Sequence, residues 1–265
     1  MITGNVWWLI FVLAFVVTAV VETFQPFRLL PSSTFKRWTS NSILLIVSSA
    51  LLVCVYQLSG IALAVETQAN QRGVLNRFVI PYFLKFTIGF VALDIVSYLG
   101  HRLFHSVGML WRVHQVHHSE TDLDLTTGFR FHPIEGLIVQ AFRLAAIALL
   151  GISPLAVVCA GLAILIQDYF THANLRFPRA ADQALRWLII TPDMHRTHHS
   201  QLFDEQNANF GTIFSFWDRI FGTYFPAREA HAEPSRYGLA EVQEGSGLSP
   251  IGLLALPFRR GRKSP

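Results

Sequence analysis

Four long apolar stretches constrain the fold of this chain more than any other feature of its sequence. They run over residues 6–21, 43–65, 78–99 and 136–166. About 20 apolar residues in a helix can cross a hydrocarbon core of about 30 Å. Only 14% of the 265 residues are charged, whereas a soluble domain carries about 25%. The pattern predicts an all-α, multi-pass integral membrane protein.

The fourth stretch is too long for one straight crossing, and the run Gly151-Ile152-Ser153-Pro154 interrupts it. Glycine and proline there predict a tight helical hairpin. The first stretch lacks the basic start and the cleavage site of a signal peptide, so we interpret it as a retained anchor. The predicted architecture is three spanning helices plus a helical hairpin.

A hairpin returns the chain to the side from which it entered, so residues 25–42, 100–135 and 170–265 are predicted to share one side. These segments hold 17 of the 21 basic residues, which marks them as cytoplasmic. We favour a bacterial inner membrane over the endoplasmic reticulum. Residues 1–230 are predicted to form a single membrane-embedded domain, and residues 231–265 a loosely ordered basic tail.

All 11 histidines lie on this predicted face, and ten of them fall between His101 and His199, most of them three or four residues apart. On a helix such spacings place imidazoles on one face, and neutral imidazole is the commonest metal ligand. Ten imidazoles exceed the three or four ligands of one zinc site, so the pattern predicts a dinuclear centre in a histidine-lined helical cap. The predicted ligands are His101, His105, His114, His117, His118, His132, His172, His195, His198 and His199.

The sequence alone leaves the metal open, because imidazole binds zinc, copper, iron and nickel alike. HExxH and the Glu-x-x-His motif of soluble di-iron bundles are both absent. Asp94 and Asp168 precede His101 and His172 by seven and four residues. We predict that these carboxylates hydrogen-bond to the histidines and orient them, although a helix cap or an ion pair explains either one equally well.

Other features of the sequence point to no further site. Cys54 and Cys159 lie in apolar runs without a CxxC spacing, which argues against a thiolate metal site. The net charge of +4 comes without a base-reading motif, so no nucleic-acid partner is expected. The aromatic segment 210–225 is interpreted mainly as an interfacial anchor and alternatively as a roof over the site.

Several runs resemble the fatty acid hydroxylase and sterol desaturase superfamily, in order and over about half of the chain. They are DIVSYLGHRLFHSVGMLWRVHQVHHS from Asp94, RFHP from Arg130, THANL from Thr171, TPDMHRTHHS from Thr191 and NFGTIFSFWDRIFGTYFP from Asn209. The resemblance implies that the eight histidines of the HxxxH, HxxHH and HxxHH boxes are metal ligands. His132 and His172 match the additional histidines outside the boxes.

The resemblance implies a membrane-bound non-haem di-iron oxidoreductase that uses O2 to hydroxylate or desaturate an unactivated C–H bond of a lipid. It implies two Fe ions, O2 as co-substrate, an external electron donor and no catalytic residue beyond the metal ligands. A separate reductase or electron carrier is expected, because the sequence has neither GxGxxG nor the cysteines of an iron–sulfur cluster. The alternative is a metal-binding or transport protein, which is weaker because the histidines flank the helices.

Overall fold

A computed structural model describes residues 4–57, 59–226, 236–239 and 249–259. Within these ranges the chain is all-helical, and the β-structure is limited to three isolated bridges. This confirms the predicted all-α class. The helices are α1 Gly4–Phe24, α2 Thr34–Tyr56, α3 Gly60–Ala69, α4 Tyr82–Ser106, α5 Gly108–His118, α6 Pro133–Leu150, α7 Pro154–His172, α8 Arg179–Leu185, α9 Pro192–His198, α10 Phe203–Gln206, α11 Phe216–Ile220 and α12 Pro250–Ala255.

Four apolar stretches are long enough to cross a membrane, namely Thr34–Arg77, which contains α2 and α3, Tyr82–Ser106, Pro133–Leu150 and Pro154–His172. Only 12% to 33% of the most apolar part of each stretch is buried inside the chain. Contact of these exposed apolar side chains with lipid hydrocarbon is favourable, whereas their exposure to water is unfavourable. We therefore describe the chain as a multi-pass membrane protein, with α1 as a further apolar helix that packs on α7.

The predicted hairpin is present and consists of α6 and α7. Gly151 ends α6 with a φ of 68°, and a Cβ there would lie 2.6 Å from the carbonyl oxygen of Arg72. Ser153 caps α7 by accepting a hydrogen bond from the Ala156 N–H, and Pro154 occupies the first turn. Glycine is required at the turn because any other side chain would be both strained and obstructed.

The prediction of one helix over residues 43–65 is wrong. The helix α2 begins nine residues earlier and ends at Tyr56, where Gln57 adopts a left-handed φ of 48°. A new helix, α3, starts at Gly60, and the Ser59 hydroxyl accepts from the Ala62 N–H at its start. Hydropathy did not reveal this break because the residues on both sides of it are equally apolar.

The prediction of a loosely ordered tail over residues 231–265 is wrong for its described carboxyl-terminal part. Pro250–Ala255 is helical, and a short 3₁₀ turn follows it. Leu253 and Leu256 are fully buried against Leu44 and Val116, and apolar burial of this kind stabilises the segment on the protein. Residues 231–235, 240–248 and 260–265 of the predicted tail lie outside the described residues.

A buried polar network connects α2 to the segment that follows α5 and contains Asp124 and Arg130. The Arg37 Nε donates to the Asp124 carboxylate at 2.9 Å. The Arg130 guanidinium donates to the Asn41 side-chain oxygen on α2 and to the Val116 carbonyl on α5, each at 3.1 Å. Because removing one partner of a buried charged network is strongly destabilising, this network holds the histidine-bearing end of α5 in a fixed orientation.

Candidate metal centre

Nine histidines gather into two adjoining groups, and the ligand nitrogens within each group lie within 4.8 Å of one another. At the boundary between the groups, the rings of His118 and His199 stack with centroids 4.5 Å apart. The five-histidine cluster consists of His101, His105, His114, His118 and His198. The four-histidine cluster consists of His117, His172, His195 and His199.

Each HxxHH box is divided between the two clusters. In the box on α5, His114 and His118 join the five-histidine cluster, whereas His117 joins the other. Residues i and i+4 of a helix are separated by about 40° around the axis, whereas i+3 lies about 60° to the opposite side of i. The box of α9 divides in the same way, so helix geometry lets one short motif supply ligands to both clusters.

The Nε2 atoms of the four-histidine cluster converge on one point. His172 Nε2 lies 2.8 Å from His195 Nε2 and 3.2 Å from His117 Nε2. His199 Nε2 lies 3.2 Å from His195 Nε2. Four imidazoles bound to one ion at about 2.0–2.1 Å in a tetrahedron would have nitrogens about 3.3 Å apart. The observed spacing therefore fits a shared metal ion.

Main-chain carbonyls fix the tautomer of three histidines. The Nδ1–H of His101 donates to the Phe210 carbonyl at 3.0 Å, and that of His198 donates to the Ala208 carbonyl at 2.8 Å. The Nδ1–H of His172 donates to the main-chain carbonyl of Asp168 at 2.8 Å, and not to its carboxylate as predicted. A carbonyl is only an acceptor, so each ring keeps the lone pair of Nε2 free for a metal.

Glu135 supplies a carboxylate that sequence reasoning missed. It lies in the first turn of α6, and its Oε1 accepts from the His114 Nδ1–H at 2.6 Å. Both side chains are almost fully buried, with 3% and 4% of their surfaces exposed. No spacing rule in the sequence links Glu135 to His114, because their contact depends on how α5 and α6 pack.

Buried nitrogens without a partner dominate the five-histidine cluster. A buried polar atom without a hydrogen bond destabilises the fold, so a site rich in such atoms fits a bound ion. The buried ring nitrogens of this cluster that lack a hydrogen-bond partner are His101 Nε2, both nitrogens of His105, His114 Nε2, both nitrogens of His118, and His198 Nε2.

Burial keeps the histidines outside the membrane-spanning helices uncharged. Loss of hydration lowers the pKa of His198 to about 3, although its bond to the Ala208 carbonyl opposes the shift. Burial, together with neighbouring imidazoles, holds the pKa values of His117, His118, His195 and His199 well below their usual range. Neutral imidazole is the form that binds metal, so these side chains are ready as ligands at neutral pH.

The structure does not bring His132 into either cluster, which corrects its assignment as a ligand. His132 is the N-cap of α6, where its Nδ1 accepts from the Ile134 N–H at 3.2 Å. Its Nε2 lies 3.2 Å from the Leu254 carbonyl in the carboxyl-terminal segment. Both ring nitrogens are thus engaged in holding the start of α6.

Asp94 lies among backbone donors rather than against His101, contrary to the predicted contact. Its carboxylate accepts from the Ile213 N–H at 2.9 Å and from the Trp217 Nε1–H at 2.8 Å. The segment that Asp94 holds includes Phe210, whose carbonyl accepts from His101. Asp94 therefore acts on the cluster through this segment.

Asp218 also holds the segment that contains Phe210, and sequence reasoning did not identify it. Its carboxylate accepts from the backbone N–H groups of Phe210 and Gly211 at 2.7 and 2.9 Å, and from the Thr223 hydroxyl at 2.7 Å. Burial raises the pKa of Asp218 to about 6. The Phe210 ring packs against His105 at 5.0 Å. The aromatic segment thus lies against the histidines, as a roof over the site would.

A cavity of about 450 Å³ joins the helical bundle to the histidines. Its walls come from α1, α2, α4, α6 and α7, with side chains such as Phe11, Leu52, Val96, Val139 and Leu165. Its volume lies within the usual range of small-molecule sites. It reaches the five-histidine cluster at His101 and His114, and the four-histidine cluster at His117, His172 and His195.

Comparison with known families and proteins yields related sequences but no related structure. The model of the fatty acid hydroxylase family matches residues 86–223, just over half of the chain. This range contains all nine clustered histidines together with Asp94, Glu135 and Asp218. No solved structure matches the chain.

Three relatives illustrate the range of similar proteins. The chain is 33% identical over 186 residues to the ornithine lipid hydroxylase OlsE of Rhizobium tropici, covering 69% of this chain and 53% of that protein. It is 31% identical over 140 residues to the alkylglycerol monooxygenase of Xenopus tropicalis, covering 53% and 30%. It is 30% identical over 135 residues to methylsterol monooxygenase 2-2 of Arabidopsis thaliana, covering 51% and 50%. The chain thus spans about half the length of these relatives or less.

Proposed function

Because this chain belongs to the fatty acid hydroxylase family, we propose that it is a membrane-bound non-haem di-iron oxygenase that hydroxylates an unactivated C–H bond of a membrane lipid. One observation carries the proposal: a single cavity leads from the apolar helices to both histidine clusters. The relatives named above act on an ornithine lipid, an alkylglycerol and a methylsterol, which supports a lipid substrate and hydroxylation rather than desaturation.

We assign one iron ion to each cluster, with the nine clustered histidines as the ligands. The orphaned nitrogens of the five-histidine cluster and the convergent Nε2 atoms of the four-histidine cluster support this assignment. Iron in this site supplies the O2 chemistry that amino-acid side chains lack. Neutral imidazoles distinguish the centre from the carboxylate-rich di-iron sites of soluble bundles.

The protein contributes position and exclusion of water. Glu135 and the carbonyls of Phe210, Ala208 and Asp168 hold the ligand rings in one orientation. A centre preorganised in this way needs no rearrangement when it reacts. The cavity walls are mainly apolar, so an acyl chain or ring system is bound next to the clusters by burial of its surface.

Hydroxylation consumes two electrons and two protons for each O2, so the protein requires a reductant. We assign this role to a separate reductase or electron carrier that docks on the face formed by residues 25–42, 100–135 and 170–265. We assign this face to the cytoplasm of a bacterial cell, because its excess of basic residues follows the positive-inside rule, and the protein to the inner membrane. Three spanning helices, the hairpin and the cap then form one membrane-embedded domain.

The test combines metal analysis with lipid mass spectrometry. We expect the purified full chain, reconstituted anaerobically with ferrous iron, to hold two iron atoms, and cells with the intact gene to contain lipids carrying one oxygen atom from isotopically labelled O2. The variant His117→Ala should lose the labelled lipid. Fewer than two iron atoms with unchanged lipids contradicts the proposal. Metal flux into proteoliposomes without O2 consumption favours the transport alternative.

The requirement for a redox partner has its own test. The purified chain with NADH and O2 should not oxidise lipid, and addition of a host membrane extract that contains reductases should start the reaction. Oxidation of lipid by the isolated chain with NADH would contradict the assignment of a separate partner.

A further inference from the structure

Two charged side chains line the cavity from helices that are long and apolar enough to cross a membrane, Arg143 on α6 and Asp168 on α7. Arg143 is eight residues from Glu135, which is about 12 Å along the helix. Asp168 is four residues, about 6 Å, from His172. The charged pair is therefore displaced from the histidines toward the interior of the helical bundle.

Neither charged group has a side-chain hydrogen bond to another described residue. The Arg143 Nε is buried without a hydrogen-bond partner, and no described residue donates to the Asp168 carboxylate. The two groups attract each other electrostatically. They form no ion pair within 4.0 Å in the described part of the chain. Both residues line the cavity, so their charged groups are available to a molecule bound there.

Such an arrangement is unfavourable unless something fills it. Charged residues at membrane depth are rare, face cavities, and usually mark a binding site or pathway. A pair with a purely structural role gains most by closing to a contact ion pair with its hydrogen bonds satisfied. Arg143 and Asp168 instead keep donor and acceptor capacity free next to the site of the proposed reaction.

We propose that Arg143 and Asp168 form a specificity-determining subsite that selects lipids bearing an uncharged polar group, a hydroxyl or an amide. The guanidinium donates to the oxygen of this group, and the carboxylate accepts from its O–H or N–H. A role for this subsite in choosing the substrate of hydroxylation rests on the proposed function. Its preference among bound lipids does not depend on that function.

A free carboxylate and a plain alkyl chain both fit this subsite poorly. The charges of Arg143 and Asp168 cancel, so a free carboxylate would bring an unbalanced negative charge into a poorly hydrated cavity. A plain alkyl chain would leave both side chains without a partner. The subsite therefore discriminates against free fatty acids and against hydrocarbons.

The test measures binding to the metal-free full chain in lipid nanodiscs. Radiolabelled hexadecanol is displaced by hexadecanol, hexadecanamide, hexadecanoate or hexadecane. We expect the alcohol and the amide to bind about tenfold more tightly than the other two probes, as expected for one charge-assisted hydrogen bond.

Substitutions should change this selectivity in opposite directions. Arg143→Met should abolish the preference for the alcohol over the alkane. Asp168→Asn leaves the guanidinium unbalanced and should make hexadecanoate the tightest ligand. Arg143→Lys keeps the charge and should keep the exclusion of hexadecane. Arg72→Met is the matched control, because Arg72 is exposed and pairs with Glu66; it should leave all four affinities unchanged.

Two results overturn the proposal. One is wild-type protein that binds hexadecanoate or hexadecane as tightly as hexadecanol. The other is Arg143→Met protein that unfolds at the wild-type temperature and retains the full selectivity. If Asp168→Asn does not fold, the comparison of the lysine and methionine variants decides. Because binding is measured without metal, an iron-free or inactive protein with the expected selectivity refutes the proposed function but not the subsite.

Discussion

Replacing Glu135 by glutamine tests whether the carboxylate controls one metal site and not the other. The Glu135 Oε1 accepts from the His114 Nδ1–H at 2.6 Å in a buried environment. His114 belongs to the five-histidine cluster. The substitution keeps the shape of the side chain but removes its negative charge, so His114 loses a strong acceptor that fixes its tautomer and raises its basicity.

The size of the effect follows from this one bond. A hydrogen bond to a charged group contributes about 1.5–3 kcal/mol, and each 1.4 kcal/mol, approximately, changes an equilibrium constant tenfold. We therefore expect Glu135→Gln to weaken metal binding at the five-histidine cluster by about 10- to 100-fold. The four-histidine cluster does not contact Glu135 and should keep its affinity.

The assay is an anaerobic titration of the metal-free full chain with ferrous iron in competition with a coloured chelator. Wild-type protein should bind two ions, and the variant should show one unchanged and one weakened step. Glu66→Gln is the matched control, because Glu66 is exposed and its carboxylate bonds to Arg72 and Asn70 rather than to a histidine. Unchanged affinity for both ions, or equal weakening of both, would refute the assignment of Glu135 to one cluster.

Three further predictions concern residues whose roles the structure redefined. His172→Ala should reduce bound iron from two atoms to one. His132→Ala should keep both iron atoms and lower the free energy of unfolding by about 1 kcal/mol, because it removes a helix cap. Equal iron loss in the two variants would contradict this distinction. Asp94→Asn should lower the free energy of unfolding by about 1–3 kcal/mol, because the substitution weakens the bonds of Asp94 to the backbone of Ile213 and Phe214 in the aromatic segment 210–225. Iron retention should fall with stability. Thermal unfolding in detergent measures the stability, and metal analysis measures the iron. Leu253→Ala should destabilise the protein by about 2–5 kcal/mol, as expected for a fully buried leucine. Phe258→Ala, at a residue 66% exposed, serves as its control, and similar unfolding temperatures for Leu253→Ala and wild type would show that the carboxyl-terminal helix contributes nothing.

The parts of the fold that were predictable depend on local rules. Gly151 and Pro154 specify a turn through the conformations that they alone favour, and the hairpin follows from them. The break at Gln57 was missed because it lies within continuous apolar sequence, where hydropathy does not change. The order of the carboxyl-terminal segment was missed because Leu253 and Leu256 are buried by residues distant in sequence, Leu44 and Val116.

The candidate site also has a part that local sequence rules predict and a part that they do not. The spacing of the histidines predicted a centre for two metals, and nine of the ten predicted side chains lie together. His132 shares the residue type but caps a helix instead. Glu135 was overlooked because no spacing rule links a residue on α6 to His114 on α5, and their contact depends on the packing of the two helices.

The sequence by itself determined that the chain is helical, apolar enough for a membrane, and rich in imidazoles at helical spacing, because each of these properties depends on residues close along the chain. Only the tertiary structure decided how the histidines divide into five and four. His117 and His118 are neighbours in sequence but point about 100° apart around α5, so they join different clusters. Which partners each imidazole meets depends on where α4, α7 and α9 pack around it, and that packing brings together residues as far apart as His101 and His198.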